Sequence, residues 1–167
     1  IVAEILPHPL SLAQVFLPGG MVPDSWMSLR PRVGELRAMA EVSGVTVSVM
    51  ISLQARPTQC TLKIFGAAGT IHLDLFHGYA FIEPGAVSKE RKILRPFDLA
   101  ARRLAAASIN LAKRALSRER AYPGLTRLVA EFYAAIRTGQ CAPCTTEAML
   151  NIARVRDILA EGMSRDG

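Results

Sequence analysis

Three regions of this chain differ in hydrophobic period, and the change from strand to helix spacing restricts the folds the chain can adopt. Between residues 35 and 83, apolar residues recur at every second position, which predicts strands with one packed face. From residue 96 onward they recur at three-and-four spacing, which predicts helices. Consecutive strands joined by short turns are antiparallel neighbours, because parallel strands need a long crossover. We therefore predict an α+β fold, in which helices cover one face of an open, mainly antiparallel sheet.

Turn and breaker residues give the predicted elements their bounds. Ser43-Gly44 supplies the tight turn of a β-hairpin, and Pro18-Gly19-Gly20 ends the first helix. The predicted strands cover residues 35–42, 45–53, 61–65, 70–75 and 79–83. The predicted helices cover residues 9–17, 96–116 and 125–136, and a last helix follows that Thr145 or Thr146 caps. Residues 21–34 are predicted to be a connecting loop.

Composition limits the class of protein. Half of the 167 residues are apolar and 20% are charged, which is typical of one globular domain. Residues 1–19 are apolar, but Glu4, His8 and two internal prolines argue against a membrane span. An odd count of three cysteines without a secretory signal indicates a reducing compartment, so we expect the cytoplasm. A chain that opens in mid-pattern is typical of a piece of a longer protein.

The positive charge is local. The net charge is +6, and ten of the twenty basic residues lie between Lys89 and Arg120. Charge confined to one segment does not indicate a nucleic-acid partner, and none is predicted. The basic helix 96–116 could lie on an anionic membrane or on a partner. A peripheral helix packed on its own domain, or on a second subunit, is the favoured interpretation.

The cysteines and two of the histidines are predicted to have no chemical role. Cys141 and Cys144 have the spacing of a zinc half-site, but a structural zinc needs four ligands and the sequence has no second pair. No metal site is therefore predicted, and the two cysteines are interpreted as loop residues. His72 and His77 flank a strand and are interpreted as surface residues.

The first segment holds the candidate catalytic residues, Glu4 and His8. An imidazole can remove a hydroxyl proton near neutral pH, and a carboxylate four residues away can stabilise the imidazolium. From spacing alone, a histidine hydrogen-bonded at a helix start is the favoured interpretation. No dinucleotide fingerprint opens a helix after a strand, and Gly66 to Gly69 reads as a hairpin turn. No cofactor-binding residue is therefore predicted in this chain.

The same segment resembles a motif of the glucose–fructose oxidoreductase and inositol dehydrogenase family (Gfo/Idh/MocA). The family pattern is Asp-x-Gly-x-His before an apolar helix, and Glu4, Leu6 and His8 stand at its three positions. The hairpin 66–70 is similar to a Gly-x-x-Gly-Thr turn of the family, and residues 122–148 are similar to its late helices. The resemblance covers most of the chain except residues 86–120. Glu in place of Asp, and Leu in place of Gly, depart from the pattern.

The resemblance implies that residues 1–167 are a single C-terminal domain, similar to that of dihydrodipicolinate reductase, that binds substrate and mediates oligomer contacts. It implies an N-terminal Rossmann domain, missing from this sequence, that holds NAD or NADP. His8 would be the general acid/base on a sugar or polyol hydroxyl, with Glu4 in support, and the isolated chain would be inactive. The sheet would form a homo-oligomer, with a candidate surface at Thr46, Ser48, Met50 and Ser52. The alternative is a non-catalytic interaction module, in which the sheet face and helix 96–116 bind an acidic partner or a membrane.

Overall fold

The computed structural model describes residues 1–85, 88, 91–117, 123–140 and 144–161. The chain forms two compact units, which are Ile1–Ala55 together with Leu128–Gly167, and Arg56–Arg127. Helices and antiparallel strands are both present, so the predicted α+β class is confirmed. No helix within the described ranges is long and apolar enough to cross a membrane.

Five helices and six strands are described. The helices are α1 Val2–Ile5, α2 Pro7–Gln14, α3 Arg91–Ser117, α4 Pro123–Thr138 and α5 Thr146–Glu161. The strands are β1 Met27–Leu29, β2 Glu35–Val42, β3 Val45–Ser52, β4 Thr61–Gly66, β5 Gly69–Asp74 and β6 Tyr79–Pro84.

The first unit contains an antiparallel sheet in the order β1-β2-β3. The predicted turn at Ser43-Gly44 joins β2 to β3, and both residues have positive φ values of 50° and 78°, as a tight hairpin turn requires. Burial alternates along β2, where Leu36, Ala38 and Ala40 are buried and their neighbours are more exposed. The period-two pattern therefore identified both the strands and their packed face.

Helices α1, α2 and α5 cover the packed face of this sheet, and together with it they form the core of the first unit. Leu6 and Leu10 have no exposed surface, and neither do Leu36 of β2 and Val155 of α5. The buried cluster is Val2, Leu6, Leu10, Val22, Leu36, Ala38, Val49, Ile51, Val155 and Leu159. Burial of a leucine or valine side chain contributes roughly 1.5–3 kcal/mol, so this cluster is the main source of stability in the first unit.

A buried amide fixes the segment before β1. The Asn151 side chain of α5 accepts a hydrogen bond from the Val22 backbone N–H (2.8 Å) and donates one to the Val22 carbonyl (3.0 Å). Both polar groups of a buried residue are satisfied in this way, as burial requires. The first turn of α5 is capped by Thr145, whose hydroxyl accepts a hydrogen bond from Ala148 N–H (3.1 Å). The predicted cap is therefore confirmed, at the first of the two candidate threonines.

The second unit contains a separate antiparallel sheet in the order β4-β5-β6, and helix α3 contacts β6. The predicted hairpin between Gly66 and Gly69 is confirmed as the β4–β5 connection. Gly69 is required there, because a Cβ atom at that position would lie 2.5 Å from the Glu83 carbonyl oxygen. The backbones of the hairpin and of β6 lie so close together at this point that a side chain at position 69 would not fit.

The structure differs from the sequence-based expectation at four places. The strands form two three-stranded sheets, because the stretch with Pro57 breaks the ladder between β3 and β4. The predicted loop 21–34 contains β1, a strand too short to show a period. The first helical segment begins earlier, at Val2, and α3 begins at Arg91 with Pro96 inside it. Pro96 lies in the second turn of α3, where it removes one intrahelical hydrogen bond, and the helix continues through it.

Candidate functional site

Glu4 and His8 lie on one exposed side of the first helical segment. Glu4 belongs to α1 and His8 to α2, and Leu6 between them has helical dihedral angles (φ −50°, ψ −40°). Glu4 is thus helical, although it lies before the helix 9–17 that the sequence predicts. Side chains four residues apart on a helix are neighbours, with Cβ atoms roughly 5–6 Å apart. Both are exposed, so the two groups are available together to a ligand.

The backbone beneath these two side chains is fixed by burial. Leu6 and Leu10, on the opposite side of the same segment, have no exposed surface. The Ser11 hydroxyl donates a hydrogen bond to the His8 carbonyl (2.8 Å). Burial of Leu6 and Leu10 therefore fixes the backbone that carries His8, while the imidazole itself is in solvent.

The outward face of the first sheet carries three exposed methionines among polar and charged side chains. Met27 pairs with Met39, and Arg37 pairs with Met50, so these side chains lie on the face opposite the core. The exposed fractions of Met27, Met39 and Met50 are 80%, 50% and 76%. Of the surface candidates from the sequence, Thr46, Ser48 and Met50 are exposed on this face, and Ser52 is half-buried.

A second group of polar side chains, which sequence reasoning missed, lies in the second unit. The Asp74 carboxylate accepts hydrogen bonds from the His77 backbone N–H (2.9 Å) and contacts the His77 Nδ1 (3.0 Å). Arg103 Nε donates to the Tyr79 hydroxyl (2.8 Å), and the Asn110 amide donates to the His77 carbonyl (2.8 Å). We call these five residues, Asp74, His77, Tyr79, Arg103 and Asn110, the His77 cluster.

Two pKa values in the His77 cluster are displaced. Burial alone would raise the pKa of Asp74, but hydrogen bonds from the His77 backbone and side chain outweigh it, with a further one from Tyr79, and lower that pKa. The hydrogen bond to Tyr79 raises the pKa of Arg103. Asp74 is therefore held as a carboxylate, and Arg103 as a guanidinium cation.

The His77 cluster borders a cavity of about 320 Å³. Its walls are formed by His77, Tyr79, Arg103, Ala107, Asn110, Leu111 and Arg114. The sequence contains the local part of this site, an Asp and a His three residues apart in the turn after β5. It could not show that Arg103, 26 residues beyond His77, returns to that turn, because the placement of α3 depends on tertiary packing.

A further ion-pair group surrounds Glu83 on β6. Arg95 Nε donates to Glu83 Oε1 (2.7 Å), and His72 Nε2 lies 2.9 Å from Glu83 Oε2. The His72 ring also stacks on Phe81, with centroids 4.7 Å apart. Hydrogen bonds from Arg95, and then from His72, lower the pKa of Glu83. His72 is thus paired within the sheet, with an exposed side-chain fraction of 18%.

The cysteine pair can be described only in part. Cys141 lies outside the described residues, while Cys144 and Cys60 are exposed free thiols. Among the residues with described positions, no group of three histidine, cysteine or acidic side chains stands together as a metal site would require.

Comparisons with known proteins supply no relative. No family model, no curated protein and no solved structure matches the chain.

Proposed function

We propose that this chain is the substrate-binding and oligomerisation domain of an NAD(P)-dependent oxidoreductase that acts on a sugar or polyol, with His8 as general acid/base. One observation carries the proposal: an exposed imidazole and an exposed carboxylate lie one helical turn apart on a segment anchored by buried Leu6 and Leu10. The resemblance of that segment to the glucose–fructose oxidoreductase and inositol dehydrogenase family supports it.

In this proposal His8 exchanges the proton of the reacting hydroxyl. The imidazole accepts the proton as the hydroxyl becomes a carbonyl, and returns it in the reverse direction. Glu4, on the same helical face, stabilises the imidazolium or binds a neighbouring hydroxyl. A Glu side chain reaches about one methylene further than an Asp, so its carboxylate can serve a hydroxyl beyond the reacting one.

NAD or NADP, when bound, supplies the hydride acceptor. The described residues of this chain do not fit such a cofactor: Gly66 and Gly69 close a hairpin between two strands and do not open a helix. We therefore assign the cofactor to a preceding Rossmann domain, and no residue of this chain is assigned to hold it. The exposed free thiols of Cys60 and Cys144 support a reducing location, for which we propose the cytoplasm.

The outward face of the first sheet supports self-association. Met27, Met39 and Met50 are exposed on that face, with Leu29 (62% exposed) on the edge strand beside them. Exposed apolar patches of this kind mark interaction surfaces, and methionine adapts to the shape of its partner. A homo-oligomer formed through this face is the assembly we propose.

The test is a dehydrogenase assay on the full-length protein that contains this chain. Reduction of NAD or NADP is measured with a panel of polyols and aldoses, for the parent protein and for His8→Gln. Loss of a general acid/base lowers rates by roughly 10²–10⁴-fold, so we expect at least about a 100-fold fall in kcat/KM. Cofactor affinity, measured by fluorescence titration, is expected to stay unchanged.

The matched control is Glu161→Gln, an exposed substitution on α5 that should leave kcat/KM within twofold. Glu4→Gln is expected to fall between the control and His8→Gln. Unchanged activity in His8→Gln would remove the catalytic role. A parent protein that reduces neither cofactor with any substrate would favour the interaction-module alternative.

A further inference from the structure

We infer that the cavity beside the His77 cluster binds a phosphate monoester, with the Arg103 guanidinium and the His77 imidazole as its anion ligands. This site lies in the second unit, and the inference does not rest on the proposed dehydrogenase function. It rests on the orientation of two side chains, on the charge of the cavity wall and on the cavity's size.

Arg103 is oriented by a partner that leaves its charge in place. Its Nε–H donates a hydrogen bond to the Tyr79 hydroxyl (2.8 Å). This is the hydrogen bond that the Arg103 side chain makes within the described part of the chain. The Nη groups remain for a ligand, and their planar donors match two oxygens of a phosphate. The negative charge of Asp74 also contributes to the raised pKa of Arg103, but within the described residues the hydrogen bond of this guanidinium goes to a hydroxyl and not to a carboxylate.

Neighbouring arginines of α3 are engaged differently. Arg95 binds the Glu83 carboxylate, and Arg102 Nε binds the Asp98 carboxylate at 2.7 Å. Each of those guanidinium groups is neutralised by its acidic partner, whereas Arg103 borders the cavity and donates to a phenol. Arg114 lies in the same wall.

Three contacts, made by two residues, hold His77 in place. Asp74 contacts its backbone N–H and its Nδ1, and Asn110 donates to its carbonyl. When Nδ1–H donates to Asp74, Nε2 of the neutral ring is an acceptor, and it can accept a hydrogen bond from the P–OH group of a phosphate monoester monoanion. The Asp74 carboxylate keeps its charge, and its oxygens are hydrogen-bonded to His77 and Tyr79. It lies on the Nδ1 side of the imidazole, so a ligand bound at Nε2 is on the other side of the ring.

The cavity's size and its apolar walls define the rest of the ligand. A volume of about 320 Å³ is at the lower end of small-molecule sites. Ala107 and Leu111 line it on the same face of α3, between Arg103 and Arg114, so there is room for a small organic group attached to the phosphate. A phosphate monoester satisfies both halves of the site, whereas a bare inorganic anion fills only the charged half.

The experiment compares two adjacent arginines of α3 in the full chain. Glycerol 3-phosphate and inorganic phosphate are titrated by calorimetry at constant ionic strength, into the parent chain, Arg103→Gln and Arg102→Gln. We expect both ligands to bind the parent, with glycerol 3-phosphate tighter. Arg103→Gln should weaken binding at least tenfold, and Arg102→Gln should change it less than twofold. His77→Gln is the second site variant and should weaken binding several-fold.

A second experiment, with vesicles, tests whether the bound phosphate belongs to a soluble molecule or to a lipid headgroup. Phosphatidylcholine vesicles with and without phosphatidic acid are sedimented with the parent and the two arginine variants. Arg103-dependent capture by phosphatidic acid, together with weak binding of glycerol 3-phosphate, would assign the phosphate to a lipid headgroup. Equal loss in Arg102→Gln and Arg103→Gln, or no binding of either soluble phosphate or phosphatidic acid, would overturn the inference. Circular dichroism of each variant checks that α3 and the sheet are retained.

Discussion

Both units of this chain contain strands in which apolar residues alternate with polar ones, but the units differ in what packs against those strands. In the first unit, helices and sheet enclose a buried cluster of ten hydrophobic residues. In the second, none of the described hydrophobic residues of 56–127 belongs to the buried core. Among the described residues of the second unit, long-range side-chain contacts include hydrogen bonds from Arg95 to Glu83 and from Arg103 to Tyr79. The first unit is therefore stabilised mainly by burial, whereas in the second the described apolar side chains are at most partly buried, and hairpin hydrogen bonds and ion pairs contribute a larger share.

Strand β6 shows what the difference teaches. Its apolar alternate residues, Ala80 and Ile82, are exposed, whereas Tyr79, Phe81 and Glu83 are partly buried. Helix α3 bonds to two of those three, through Arg95 and Arg103. Alternation identifies which residues share a face, but it does not decide which face the helix covers. At β6, hydrogen bonds to Glu83 and Tyr79 are made on the face that carries the polar residues.

The largest expected effect comes from the core of the first unit. Leu6→Ala removes a side chain with no exposed surface and should lower the free energy of unfolding by about 3 kcal/mol, the usual cost of a buried Leu-to-Ala change. Urea unfolding followed by Trp26 fluorescence measures it, because Trp26 packs against that core and is the only tryptophan.

The matched variant lies in the second unit. Leu104→Ala on α3 changes a side chain that is 69% exposed and should cost less than about 0.5 kcal/mol. Equal costs for the two leucines would break the comparison between the units.

A smaller effect is expected at Glu83. Its pKa is lowered from the ordinary 4.5, so its contribution to stability is complete above that value and is lost as pH falls through the lowered pKa. Glu83→Gln should therefore reduce the stability of the second unit by about 1 kcal/mol at neutral pH. In strong acid the parent and the variant should converge. NMR signals of β5 and β6 during acid titration measure this.

Glu41→Gln, an exposed change on β2, is the control for that titration. If it altered the acid transition of β5 and β6 as much as Glu83→Gln does, net charge rather than the Arg95 and His72 contacts would explain the effect.

The sequence predicted elements better than their arrangement. Local signals located the Ser43-Gly44 turn, the Gly66 to Gly69 hairpin, five strands and the Thr145 cap, because each depends on a few adjacent residues. The division into two sheets and the short strand β1 were missed, because both depend on long-range pairing.

The same difference between local signals and long-range packing applies to the two candidate sites. The i, i+4 spacing of Glu4 and His8 predicts that they are neighbours, and the helical geometry of Leu6 keeps that relation. The His77 cluster joins a strand end to a distant helix, so the positions of Asp74 and His77 could not reveal Arg103 or Asn110. His8 lies in the well-packed first unit, on a segment anchored by buried Leu6 and Leu10.

Native-state amide hydrogen exchange tests the contrast between the two units most directly. Under conditions in which exchange reports opening equilibria, backbone amides bonded across β2 and β3 should exchange at least tenfold more slowly than those bonded across β4 and β5. This result would show that the buried cluster, and not the strand ladder alone, sets local stability. Equal or greater protection of β4 and β5 would contradict the account, since it would mean that the second unit has stabilising interactions beyond its hairpins and ion pairs.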